Sequence, residues 1–181
     1  MEASAESSAV ERVVLVGFMC AGKSAVGELL ARGLGWAFVD LDRLIEEIEG
    51  RSVREIFARH GEMGFRQVEA RVTADVARWG RMVLAPGGGW VTNSLVGARP
   101  GSGTLTAWLR VSAEEAVRRG AAAPGVRPLL AGADPLADAR ALLAARTPAY
   151  ARADLAVDTE GVAPSDVAAT LARAVHSRPA R

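Results

Sequence analysis

Residues 17–24 read Gly-Phe-Met-Cys-Ala-Gly-Lys-Ser, and no other stretch constrains the chain as strongly. Val13, Val14, Leu15 and Val16 run into it as a buried strand would. Val26, Leu29, Leu30 and Leu34 leave it with helical spacing. A G-x-x-x-x-G-K-[ST] run set between a strand and a helix is the context in which this pattern holds phosphate. Backbone N–H groups of such a loop point inward at phosphate oxygens, and the helix N-terminus adds partial positive charge. The nucleotide-binding set is then Cys20, Ala21, Gly22, Lys23, Ser24 and Ala25. Lys23 reaches the β- and γ-phosphates, and Ser24 offers its hydroxyl to Mg²⁺. The plainer alternative is an ordinary glycine-containing strand-to-helix turn.

Lys23 is the only lysine; the other 21 of the 22 basic residues are arginine. In so arginine-biased a chain, a lone lysine here says that arginine would not serve. A compact ammonium fits inside a phosphate loop, whereas a planar guanidinium does not. With 21 acidic residues the net charge is only +1, so nothing demands nucleic acid or an anionic membrane. Cys20 is the single cysteine, which excludes an intrachain disulfide and a cysteine-cluster metal site. No secretory signal and no apolar run long enough to span a membrane is visible. A cytoplasmic protein is the expectation. With 181 residues, half of them hydrophobic, the chain fits one domain, here residues 11–176, with flexible tails at 1–10 and 177–181.

The rest of the chain alternates strands with helices. Residues 36–39 read as a second strand, followed by Asp40-Leu41-Asp42 and then helical spacing at Leu44, Ile45 and Ile48. Ser52, Val53, Ile56 and Phe57 predict a short helix stopped near Gly61. Phe65, Val68, Val72, Val76 and Trp79 predict a long amphipathic one. Residues 82–85 and 105–111 read as strands, the first ended by Pro86 and three glycines. Ser112 with Glu115 has the spacing of a capping box. Residues 120–132 have loop composition around Val-Arg-Pro-Leu-Leu, as a mobile lid would. A helix is predicted from Pro135 to Arg146, bent or ended by Pro148, then a strand at 155–157 and a helix at 167–175. This alternation implies a parallel sheet of about five strands with right-handed crossovers and helices on both faces. Ligands then sit beyond the carboxyl ends of the strands. The 17–24 loop, Asp40 with Asp42, and Gly87-Gly88-Gly89 all fall at such ends.

A phosphate loop identifies a nucleotide, not a reaction, so the acceptor site must be read elsewhere. Of Asp40 and Asp42, one can face the metal and its waters while the other accepts a hydrogen bond from a substrate hydroxyl and assists its deprotonation. A solvated acidic pair at a helix start explains them as well. Arg66 and Arg146 have surface exposure as their default, and the three glycines are either a loose turn or a place where backbone N–H groups approach a ligand closely.

Taken in order, these residues resemble the shikimate kinase family. The matching stretches are residues 17–24, Val-Asp-Leu-Asp (39–42), Ile-Phe (56–57), Gly-Glu-x-x-Phe-Arg-x-x-Glu (61–69), Gly-Gly-Gly (87–89), Val-Arg-Pro-Leu-Leu (126–130) and Arg-x-Pro-x-Tyr (146–150). The resemblance implies a three-layer α-β-α P-loop kinase with a mobile lid. It implies transfer of the ATP γ-phosphate to the 3-hydroxyl of shikimate, within aromatic amino-acid biosynthesis. It assigns Ser24 and Asp40 to Mg²⁺, and Asp42 to the substrate hydroxyls as a catalytic group beside Lys23. Arg66, Arg146 and the Gly87, Gly88 and Gly89 backbone would hold the acceptor. Arg127 would ride on the lid to the transferring phosphate. Arg118 or Arg119 would stack on adenine, with Arg119 carried forward here. The expected partners are ATP and shikimate, with no nucleic acid or membrane, and the expected state is a monomer. Three departures stand out: Cys20 where the family usually has glycine; Trp90 after the three glycines, where a small residue is common and a bulky one would crowd the acceptor pocket; and Gly120–Gly125, one residue longer than usual, which leaves the adenine-side arginine open. The rival readings are another small-molecule kinase, with gluconate kinase nearest in architecture, and a silent nucleotide-binding module. A silent module should have lost Lys23, Asp42 or Arg66, and all three are present.

Overall fold

The computed structural model describes residues 10–96, 103–122 and 134–177. Five parallel strands form one sheet in the order β2-β3-β1-β4-β5. They are β1 (Arg12–Val16), β2 (Ala37–Asp40), β3 (Met82–Ala85), β4 (Thr104–Arg110) and β5 (Leu155–Asp158). Register is set by pairs such as Val13 with Val83 on one side and Val13 with Leu105 on the other. Val13, Val14, Leu15 and Val16 are all buried although successive side chains point to opposite faces, so both faces of the sheet are covered.

The covering helices are α1 (Lys23–Leu34), α2 (Leu41–Glu49), α3 (Val53–Val76), α4 (Ala113–Ala122), α5 (Pro135–Tyr150) and α6 (Pro164–Ser177). They associate in pairs, α1 with α6, α2 with α3 and α4 with α5. Close packing of α1 on the sheet requires Gly27, where a Cβ would lie 2.4 Å from the Phe38 ring. Val10, expected in the N-terminal tail, belongs to the buried core. None of the helices among the described residues is long and apolar enough to cross a membrane.

Several boundaries differ from expectation for local reasons. The two helices predicted around Gly61 run on as α3 with a kink, because Gly61 has φ 66° and ψ −174°, a conformation essentially closed to residues with a Cβ. Ser52 caps the first half reciprocally with Glu55. Trp79 lies past the end of α3 and is exposed. Residues 120–122, predicted as lid, continue α4, whose apolar face carries Ala113 and Ala116 into the core. Arg127 and residues 123–133 of that predicted lid lie outside the described residues. The capping box at Ser112 is only half formed. Ser112 Oγ accepts from Glu115 N at 3.1 Å, but Ser112 N donates to Glu160 instead. Pro148 does not end α5, which continues to Tyr150. The last turn is held by tertiary contacts, since Tyr150 is fully buried, stacks on Trp108 and donates its hydroxyl to Gly88 O at 2.6 Å.

Candidate active site

The chain runs from β1 to β2 toward one edge of the sheet and later from β3 to β4 toward the other. β1 lies between β3 and β4, so the loop after β1 opens at the switch point where such sheets bind ligands. Gly17 starts that loop with φ 151°, and a Cβ there would meet Leu109 O at 2.6 Å, so the loop hugs β4. Gly22, with φ 89°, is the left-handed N-cap of α1. Cys20 has φ 58°, the only positive value among the described non-glycine residues. A side chain there costs about 1–2 kcal/mol of backbone strain.

Inside the loop, Lys23 Nζ donates to Gly17 O at 2.9 Å and Phe18 O at 3.0 Å. The ammonium is therefore held in the loop mouth by the loop itself. Ser24 Oγ donates to Asp40 Oδ2 at 2.8 Å, while Asp40 Oδ1 caps α2 through Arg43 N at 3.3 Å. A hydroxyl and a carboxylate brought together are hard oxygen donors of the kind Mg²⁺ takes when it keeps most of its waters. The residues present therefore fit that ion.

Asp42 is the second residue of α2 and faces the same cleft. Burial, then the neighbouring Asp40 and Glu69 carboxylates, push its pKa up to about 6, against the opposing pull of Lys23. The cleft, of about 400 Å³, is lined by Lys23, Ser24, Asp40, Asp42, Gly87, Gly88 and Arg119 among others.

The three glycines let side chains come close to the backbone. Each makes room for a side chain. A Cβ at Gly87 would lie 3.1 Å from Asp42 Oδ1, one at Gly88 3.3 Å from an Arg146 Nη, and one at Gly89 2.3 Å from Arg66 Nη2. Asp42, Arg146 and Arg66, which lie on three different helices, are thus drawn onto one strip of backbone. Arg66 Nη1 also donates to Glu69 Oε2 at 2.8 Å. Arg66, Arg146 and Gly89 border the cleft and do not line it.

Arg118 and Arg119 separate clearly. Arg118 is a surface residue paired with Glu115. Arg119 turns inward: Nη1 donates to Cys20 O at 3.2 Å, Nη2 to Thr159 O at 2.7 Å, and Nε to Glu115 Oε1 at 2.7 Å. These two arginines hold the Glu115 carboxyl far below the usual carboxylate range, at about 2. Arg119 borders a second cleft of about 510 Å³, walled by Thr159, Gly161, Val162 and Pro164 and joined to the first at Cys20 and Gly22. The loop after β5 was not among the candidate residues. Its place beyond a strand's carboxyl end is the signal that points to it.

The model of one family, shikimate kinase, matches residues 19–176. The chain belongs to the shikimate kinase family. A shikimate kinase of Moorella thermoacetica is 45% identical over 163 residues, covering 90% of this chain and 93% of that one. One from Synechococcus sp. strain RCC307 is 46% identical over 153 residues, covering 84% of this chain and 78% of that one. Among solved structures, the shikimate kinase of Acinetobacter baumannii in complex with shikimate superposes with a TM-score of 0.83 at 33% identity, covering 93% of this chain and 94% of that one. Two of the three departures from the family pattern have a structural answer, and the third, at residues 120–125, lies partly outside the described residues. Cys20 is accommodated in a left-handed conformation. Trp90 does not line the cleft: it is buried, and its indole Nε1 donates to Thr73 Oγ1 at 3.0 Å.

Proposed function

We propose that this chain transfers the γ-phosphate of ATP to the 3-hydroxyl of shikimate, giving shikimate 3-phosphate and ADP. One juxtaposition carries the reading beside family membership: the phosphate loop and Asp42 share a cleft, and the two acceptor arginines are seated on its Gly88 and Gly89 border. The loop backbone and Lys23 hold the triphosphate, exchanging the Gly17 and Phe18 carbonyls for phosphate oxygens at the ammonium. Ser24 and Asp40 hold Mg²⁺, which supplies charge neutralisation of the phosphate oxygens when bound. Arg66 and Arg146 fork onto the acceptor carboxylate, a geometry suited to guanidinium. Asp42 accepts the proton of the attacking hydroxyl. Its raised pKa places a carboxylate base closer to the working pH than an exposed aspartate would be. Adenine lies in the second cleft against Arg119, whose plane is fixed by four hydrogen bonds and leaves its face for stacking. Arg127 is assigned to the transferring phosphate on the strength of its motif. Every group named comes from one chain, so we take the working form to be a monomer; its proposed compartment is the cytoplasm.

Coupled ADP release against shikimate, gluconate, nucleoside monophosphates and no acceptor tests the reading. Shikimate should be preferred by kcat/KM, with little ADP released in its absence. Preference for gluconate or a nucleotide would overturn the substrate while leaving the fold.

A further inference from the structure

The acceptor arginine Arg66 lies against Gly89, and on its own helix its guanidinium bonds Glu62 Oε1 at 3.3 Å and Glu69 Oε2 at 2.8 Å. A further clamp comes from the segment that follows the glycines. Asn93 is buried, and its Nδ2 donates to two acceptors on α3, the Arg66 carbonyl at 2.9 Å and Glu69 Oε2 at 2.9 Å. Glu69 Oε2 is the same oxygen that receives Arg66 Nη1. Trp90 adds a second tie one turn along, through Thr73 Oγ1, which itself donates to Glu69 O at 2.6 Å. The points of attachment, residues 66, 69 and 73, fall on one face of α3. Asn93 Oδ1 meanwhile accepts from Leu95 N at 3.0 Å, so the amide is oriented from both ends. The arrangement places a neutral amide where it grips both the backbone of Arg66 and the carboxylate that orients its guanidinium.

Glu69 is fully buried, and its Oε1 accepts no hydrogen bond among the described residues. All of its fixed support therefore falls on Oε2, from Arg66 and Asn93 alone. Without Asn93, a buried carboxylate would keep a single partner and be free to turn about its side chain. Arg66 would then lose its buried anchor and keep only the exposed Glu62 carboxylate.

We propose that Asn93, assisted by Trp90, is a positioning residue for the acceptor: it fixes the Arg66 guanidinium against Gly89 by gripping the Arg66 carbonyl and Glu69 Oε2 together. This rests on the reading of Arg66 as an acceptor-binding group. Asn93 touches neither nucleotide nor acceptor, and its effect passes through Arg66. Neither the phosphate loop nor Arg119 depends on it, so nucleotide binding is untouched.

The test is a double-mutant cycle of Asn93→Ala and Arg66→Ala, read as KM for shikimate, KM for ATP and kcat, with thermal unfolding measured alongside. Asn93→Ala should raise the shikimate KM about tenfold, the scale of a lost hydrogen bond to a charged group, and leave the ATP KM unchanged. In the Arg66→Ala background the same substitution should change the shikimate KM less than twofold, since the group it positions is gone. Trp90→Phe keeps an aromatic side chain, though a smaller one, and removes the indole donor. It should shift the shikimate KM in the same direction by a smaller factor, and it serves as the reading variant if Asn93→Ala does not fold. An unchanged shikimate KM, a parallel rise in both KM values, or a full effect persisting without Arg66 would overturn the proposal. If Arg66→Ala itself leaves the shikimate KM unchanged, the assignment of Arg66 to the acceptor fails first, and that result is distinct from the others.

Discussion

At the scale of single residues, Asp42 shows how the site trades stability for function. Its folded pKa of about 6 lies above the 3.8 of an unperturbed aspartate. A carboxyl that binds its proton more tightly when folded gains stability as pH falls through the folded value toward the unfolded one. Above pH 6 the ionised form is a cost, of about 3 kcal/mol for a shift of this size. Two outcomes follow from the same number. In EDTA, Asp42→Asn should be more stable than the parent to urea at pH 7.5 by roughly 2–3 kcal/mol, and equal to it near pH 4. A less stable Asp42→Asn at pH 7.5 would show that the carboxylate is well paired. The parent's kcat/KM should fall by tenfold per unit below pH about 6 as the base takes up its proton. Asp42→Asn should be nearly inactive throughout.

At the scale of elements, the strip after β3 is the part on which Asp42, Arg66 and Arg146, the groups proposed for the acceptor, converge. The contacts at its glycines are graded and aimed at different side chains, so methyl groups placed there should give different kinetic signatures. Gly89→Ala puts a methyl 2.3 Å from Arg66 Nη2, and only the flexible arginine can move. The shikimate KM should rise by tenfold or more, with kcat reduced less. Gly87→Ala meets the Asp42 carboxylate at 3.1 Å, and should lower kcat more than it raises either KM. Steady-state kinetics on the two variants distinguish these patterns. A dominant change in the ATP KM in either case would sink the account of the strip given above.

At the scale of the whole molecule, the first cleft lies at the carboxyl ends of β1, β2 and β3, and the loop after β5 walls the second. Leu109 is fully buried in β4, and its carbonyl lies against Gly17 of the phosphate loop. Leu155 is half-buried in the edge strand β5. Leu109→Ala should lose about 3–4 kcal/mol of stability, and Leu155→Ala no more than about 2 kcal/mol, measured by urea unfolding. Each variant should unfold in a single transition, because the two strands pair with one another within one sheet. A biphasic curve for Leu155→Ala would show that β5 and α6 melt apart from the rest.

The five strands, the phosphate loop and the acidic pair were legible in the amino-acid sequence because each is a local pattern. A run of apolar residues, a glycine-lysine-serine spacing and a strand-end aspartate need no distant partner to be recognised. The ordered motifs also named the family. What only tertiary structure decided depends on contacts between residues far apart in the chain. Arg118 and Arg119 both bond Glu115, and one helical step of about 100° separates a surface side chain from one that reaches the Cys20 carbonyl 99 residues away. Pro148 carries a local signal to stop a helix, and it is overridden because Tyr150 is anchored to Gly88, 62 residues distant. Asn93 looks like any polar loop residue until α3 is laid beside it and the Glu69 carboxylate, 24 residues earlier, has to be satisfied in the absence of water. A sequence states which groups are present and how the backbone near each one bends. Which groups meet is settled by burial of the sheet's two faces, which draws α2, α3 and α5 onto one strip of glycine.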